Sequence, residues 1–142
     1  MPILSELRVR YAETDQMRVV YHANYLVWFE IGRTDLLRVA GERLGLSYDR
    51  LEKEHERILP VAEARCRYKV AARYDDRIQI ETRPSVVRGS LVKFAYEAYR
   101  VDPDGARQLL AEGETTHVVC NREMQRASLP AAYVAALKEL MD

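Results

Sequence analysis

From Ile3 to Tyr11, apolar and polar positions alternate, with Ile3, Leu7, Val9 and Tyr11 on one side and Glu6, Arg8 and Arg10 on the other. A period of two is that of a half-buried strand. After a loop over residues 12–23 the period lengthens. Between Asn24 and Ala40, the residues Tyr25, Trp28, Phe29, Leu36, Leu37 and Ala40 form the stripe of an amphipathic helix. Asn24 or the residue before it is placed to cap the start, and Gly41 to mark the end. A shorter helix is predicted over Ser47–Glu54. The period then returns to two: Ala62, Ala64, Cys66, Tyr68 and Val70 oppose Glu63, Arg65, Arg67 and Lys69. Past a Tyr74-Asp75-Asp76 turn, Ile78 and Ile80 oppose Gln79 and Glu81. Arg88-Gly89-Ser90 predicts a tight hairpin turn into a strand over Leu91–Val101. Asp102-Pro103-Asp104-Gly105 predicts a second turn, into a last strand over Arg107–Cys120. Pro130 suits the opening of a closing helix that runs through Met141.

The order is strand, long helix, short helix, four strands with short connections, and a final helix. A helix that precedes such a meander must bury its stripe against the sheet, which predicts one α+β two-layer domain over residues 1–142. No repeat, linker or low-complexity segment interrupts it. A sheet that curves around a single helix leaves a face and its edges uncovered, and these favour a homo-oligomer.

Composition removes several classes of function. Lys and Arg balance Asp and Glu at 22 each, so no basic stripe for a phosphate backbone is evident and no nucleic-acid partner is expected. No run of about 18 apolar residues exists, so no membrane span is expected. Met1–Glu6 turns charged at once, without the apolar middle of a signal peptide, and this predicts a cytoplasmic location with Cys66 and Cys120 as reduced thiols. His22, His55 and His117 are widely spaced, and neither cysteine has zinc-site spacing, so neither metal nor cofactor is expected. A Gly-x-Ser-x-Gly elbow and a Gly-rich phosphate loop are both absent.

The segment from Thr14 to Tyr25 is the passage that packing explains least well. It puts a carboxylate, Asp15, on a loop shortly before a helix start, where free backbone N–H groups form an anion site. A carboxylate with aimed N–H donors is the minimum needed to attack an acyl carbon and stabilise the oxyanion that develops. The same placement also suits a carboxylate that only complements the helix dipole, an effect of roughly 0.3–1 kcal/mol. Spacing alone does not choose between them.

The run Asp15 to Tyr25, with its His22-Ala23-Asn24-Tyr25 core, continues through Leu26-Val27-Trp28-Phe29-Glu30 and resembles the signature of the 4-hydroxybenzoyl-CoA thioesterase-like family. Within that family it is similar to the bacterial branch that includes the Tol–Pal-associated acyl-CoA thioesterases. Tyr74-Asp75-Asp76 and the order of elements extend the likeness over nearly the whole chain. The resemblance implies a hotdog fold, a curved antiparallel five-stranded sheet wrapped around a long central helix. It also implies an enzyme that hydrolyses an acyl-CoA substrate to acid and CoA without a metal. The family's catalytic aspartate falls on Asp15, as nucleophile or as general base for water, and its oxyanion-donating backbone N–H on His22. Tyr21, Asn24 and Tyr25 fall beside them as substrate-binding candidates, although each tyrosine serves equally well as core. Arg88, Gly89 and Ser90 fall where family members hold the CoA nucleotide, through charge, close backbone approach and a hydroxyl. A plain hairpin with a solvated arginine explains that turn equally.

One position departs from the family pattern. Three residues after the aspartate the family has glycine, which marks backbone needing positive φ, and this chain has Arg18. Two other functions stand beside hydrolysis. One is a hotdog hydratase or dehydratase that pairs His22 with Glu30; the other is a non-catalytic acyl-CoA binding module, for which Arg18 is the motive.

Overall fold

The computed structural model describes residues 1–45, 53 and 55–141. Apart from Lys53, the helix predicted over Ser47–Glu54 lies outside the described residues. The elements are β1 (Ile3–Arg8), a 3-10 turn (Tyr11–Glu13), α1 (Asn24–Arg43), β2 (Val61–Tyr68), β3 (Arg77–Val87), β4 (Leu91–Val101), β5 (Arg107–Val118) and α2 (Ala131–Glu139). Every strand pairing is antiparallel, in the order β1-β3-β4-β5-β2. With α1 lying along the sheet, this is the hotdog arrangement.

The alternation in β3 and β4 fixes which face α1 covers. Ile78, Ile80 and Thr82 on β3, with Phe94, Tyr96 and Ala98 on β4, are buried beneath Trp28, Phe29, Leu36 and Ala40 of α1. Phe29 stacks on Tyr96 with ring centroids 4.5 Å apart and sits over Gly113. A Cβ there would collide with the Phe29 ring and with the Arg65 carbonyl. Gly32 plays the same part on the helix, because a Cβ there would strike Thr82.

Inside this apolar core runs one polar chain. Arg33 donates to the Tyr96 hydroxyl at 3.2 Å, Tyr96 and Thr115 share a hydrogen bond of 2.6 Å, and His117 Nε2 lies 2.8 Å from the Thr115 hydroxyl. His117 Nδ1 lies 2.9 Å from the Leu59 carbonyl. A carbonyl only accepts, so Nδ1 carries the proton and Nε2 accepts from Thr115. Every donor in the chain then points the same way.

Several expected boundaries shift, each for a local reason. β1 ends at Arg8, and Tyr11 lies exposed in the 3-10 turn, not on a buried strand face. α1 continues to Arg43 with Gly41 buried inside it, and the positive φ beyond its end belongs to Gly45 at 71°. The capping position is Ala23, without a side-chain cap, because Asn24 is already helical. β2 alternates in sequence yet is nearly all exposed, with Cys66 alone half-buried. It is an edge strand, and α1 packs mainly on β3 and β1. Pro84 is tolerated in β3 because it falls past the last β1 pair, Ile3 with Thr82, and at a bulge against β4. β5 stops at Val118, leaving Cys120 in isolated bridges to Ile58 and Arg126. Pro130 sits just outside α2, at its capping position.

Candidate active site

The loop that leads into α1 is tied down by one buried acid. Glu13 accepts the Arg10 backbone N–H at 2.8 Å and the Trp28 indole N–H at 2.9 Å. Its backbone carbonyl accepts the Tyr21 N–H at 2.8 Å and the Asn24 side-chain amide at 2.9 Å. Asn24 therefore joins the loop to the helix and does not cap it.

From this anchor the chain forms a small hairpin closed by the Thr14–Val20 bridge. Asp15 N–H donates to the Val19 carbonyl at 2.9 Å and Arg18 N–H to the Asp15 carbonyl at 2.9 Å. One carboxylate oxygen of Asp15 accepts the Met17 N–H at 2.8 Å, an Asx turn that holds the side chain still. The second oxygen has no hydrogen-bond partner among the described residues. Arg18 has φ 66°. The turn keeps the left-handed geometry that glycine adopts freely, although an arginine occupies it.

Asp15 sits between two clefts. One, of about 250 Å³, is shared with His22, Tyr25, Tyr68, Val20 and Val70. The other, of about 720 Å³, is bordered by Tyr11, Gln16, Arg18 and Tyr74. At the helix start, the His22 N–H donates to no backbone or side-chain acceptor among the described residues. His22, whose N–H is unengaged among the described residues, and Asp15, with one carboxylate oxygen unpartnered there, thus line the same cleft.

Tyr25 is both part of the core and at the cleft. It is buried against Trp28, with centroids 4.7 Å apart, its hydroxyl accepts the Ala72 N–H at 3.1 Å, and it walls the cleft. Burial pushes its phenol up, and burial likewise pushes up the Cys66 thiol. Tyr21 is exposed beside the His22 ring and lines neither cleft.

With the geometry in place, similarity to known proteins is informative. Residues 9–137 match the model of the thioesterase-like superfamily. The chain belongs to that superfamily. Family members include an acyl-CoA thioesterase, YbgC of Haemophilus influenzae, 32% identical over 94% of this chain and 93% of that one. A Thermus thermophilus protein of solved structure is 34% identical, with a TM-score of 0.80, over 96% of this chain and 98% of that one. A 4-hydroxybenzoyl-CoA thioesterase variant solved with 4-hydroxybenzoyl-CoA is 19% identical, covers 96% and 98% of the two chains, and shares the fold with a TM-score of 0.81. As in these thioesterase-like proteins, the sheet and the long helix are one hotdog unit.

Other residues of interest lie elsewhere in this family member. Arg88, Gly89 and Ser90 form the β3–β4 hairpin, closed by Arg88 N–H to the Leu91 carbonyl at 2.8 Å. That hairpin is at the far end of β3 from Asp15, roughly 30 Å away at about 3.3 Å per strand residue. Gly89 lacks a positive φ, and a Cβ there would make ordinary contact with Ser128. Glu30 is exposed, about 12 Å along α1 from His22, and borders neither cleft at Asp15. Among the described residues no group of three His, Cys, Asp or Glu side chains could hold a metal, and no helix is long and apolar enough to cross a membrane.

The sequence reading overlooked two residues here, Glu13 and Tyr68. Glu13 had a signal, an acid two positions before Asp15 in a loop. Tyr68 had a weaker one, an aromatic among the charges of Arg65, Arg67 and Lys69.

Proposed function

We propose that this chain hydrolyses an acyl-CoA thioester to a carboxylic acid and CoA, with Asp15 and the His22 backbone N–H as the reacting pair. The observation that carries this reading is the cleft they share, with one Asp15 oxygen fixed by Met17 and the other free. The thioester carbonyl oxygen accepts from the His22 N–H and takes up negative charge as the carbon becomes tetrahedral. The free Asp15 oxygen then either bonds to that carbon, giving an anhydride that water cleaves, or takes the proton of a water that adds to it. In both routes the C–S bond breaks and the CoA thiolate takes up a proton. Because Asp15 borders two clefts, one arm of the thioester lies in each. Tyr25 supplies a wall of the smaller cleft, and Asn24 acts through its bond to Glu13.

Arg88, Gly89 and Ser90 lie at the other end of β3 from Asp15. They serve the nucleotide from a second copy, which joins their role to the homo-oligomer. Support for an oligomer comes from the edge of β2, unpaired among the described residues, and from the exposed apolar residues Val61 and Val70 and, on α1, Leu26, Val27 and Ile31. The two free thiols suit a reducing, cytoplasmic location. The hydratase alternative needs an acid beside His22, and Glu30 does not supply it.

Thiol release from a panel of short-chain, long-chain and benzoyl CoA esters tests the proposal. Turnover of at least one ester is expected; saturable binding with no thiol released from any would point to the binding-module alternative.

A further inference from the structure

Tyr68 reaches the candidate site from the edge strand β2, 46 residues away along the chain, and its hydroxyl donates to the His22 carbonyl at 2.9 Å. The other donor to that carbonyl is the Tyr25 N–H, at 3.3 Å, beyond the usual range for an N–H···O bond. Leu26 N–H to the Ala23 carbonyl is also long, at 3.2 Å. The helix backbone therefore holds the His22 carbonyl only at the edge of hydrogen-bond range. Two peptide planes meet at His22: the one before it carries the His22 N–H, and the one after it, joined through the α-carbon, limits how far the first can turn. The plane before it is held through the Tyr21 carbonyl, which accepts the Asn24 N–H at 2.9 Å. The plane after it is held chiefly by Tyr68.

The Tyr68 ring is itself braced. It meets Tyr25 edge-on at 5.1 Å and His22 edge-on at 6.2 Å, while the Ala72 N–H to Tyr25 hydroxyl bond ties the chain just beyond β2 to the same helix start.

We propose that Tyr68 is a positioning residue for the oxyanion donor: its hydroxyl holds the His22 carbonyl and so keeps the His22 N–H aimed into the cleft shared with Asp15. This rests on the thioesterase reading of that cleft. An oxyanion donor is effective because it is oriented before charge develops, and here a strand side chain adds a hold on the backbone at the donor. Burial, with the Cys66 thiol beside it, pushes the Tyr68 phenol up to about 12. It therefore stays protonated and able to donate at every pH suited to an assay.

Tyr68→Phe keeps the ring and removes the hydroxyl. Short-chain, long-chain and benzoyl CoA esters are the probes. For the ester turned over fastest, kcat is expected to fall about tenfold with KM within about twofold, less than the loss of a whole oxyanion donor. A ketone analogue of that ester, with CH2 in place of sulfur and a 13C carbonyl, reports on the donor directly. Bound to the wild type its carbonyl stretch lies below the value in water, and in Tyr68→Phe it moves back toward that value. Unchanged kcat overturns the proposal, and so does a raised KM with an unmoved stretch, which would make Tyr68 a substrate contact. A fluorinated tyrosine at position 68 covers the case in which Tyr68→Phe does not fold. Its phenol ionises at lower pH, and kcat should then fall as the phenol loses its proton; a profile matching the wild type overturns the proposal. Asp15→Asn in the same assay separates the two readings. If it is inactive while Tyr68→Phe is normal, only the role of Tyr68 fails; if it is active, the reading beneath fails.

Discussion

At the scale of single residues, the candidate site depends on groups that do no chemistry. Glu13 is 5% exposed, and its carboxylate is the acceptor for the Trp28 indole and the Arg10 amide. Glu13→Ala leaves a buried indole N–H unpaired, so we expect a loss of about 1–3 kcal/mol in urea unfolding. Thiol release should fall as well, because the Asp15 loop and the start of α1 share this anchor; unchanged unfolding would contradict the role. Asp15 and His22 stood out in the sequence as candidates because their spacing resembles a family signature. Glu13 and Tyr68 did not, because what they do depends on partners 15 and 46 residues away, and neither bond follows from local periodicity. Arg18 shows the reverse limit. Its identity raised doubt about the loop, yet backbone bonds from Asp15 to Val19 and from Arg18 to Asp15 impose φ 66° on it.

At the scale of elements, periodicity located β4 and the start of α1, and it failed where an element's neighbours decide its burial. β2 reads as half-buried and is exposed because it is an edge. Gly41 reads as a helix end and is buried within α1. The contact between α1 and the sheet makes a sharper prediction. Gly113→Ala puts a methyl against the Phe29 ring and the Arg65 backbone, and we expect it to cost about 1–3 kcal/mol as overpacking, read as a lower urea midpoint. His117 gives the sheet a pH dependence. It is fully buried, and burial, opposed by its bond to Leu59 and reinforced by Arg33, lowers its pKa from an ordinary value of 6.5 to about 4. The unfolded chain takes up a proton below about 6.5, and the folded chain does so only near 4. Stability is therefore flat above that window and falls through it, by roughly 3 kcal/mol in full. His117→Gln, which cannot titrate, should flatten the decline in melting temperature between pH 7 and pH 4; an unaltered decline would assign it to other groups.

At the scale of the whole molecule, the described residues of one hotdog unit leave the β2 edge unpaired and Leu26, Val27 and Ile31 of α1 exposed, and the β3–β4 hairpin lies far from Asp15. Both features fit the proposed second copy. Light scattering after gel filtration should therefore give at least twice the 16.5 kDa chain mass; a monomer at micromolar concentration would leave Arg88, Gly89 and Ser90 without access to CoA. The central claim is narrower and concerns Asp15 as the reacting carboxylate. Its most direct test is thiol release by Asp15→Asn, with folding checked by melting temperature and circular dichroism. We predict that turnover falls at least about a hundredfold, the lower end of what general acid–base catalysis contributes, while the variant melts within a few degrees of the wild type. A well-folded Asp15→Asn protein that releases thiol at close to the wild-type rate would contradict it.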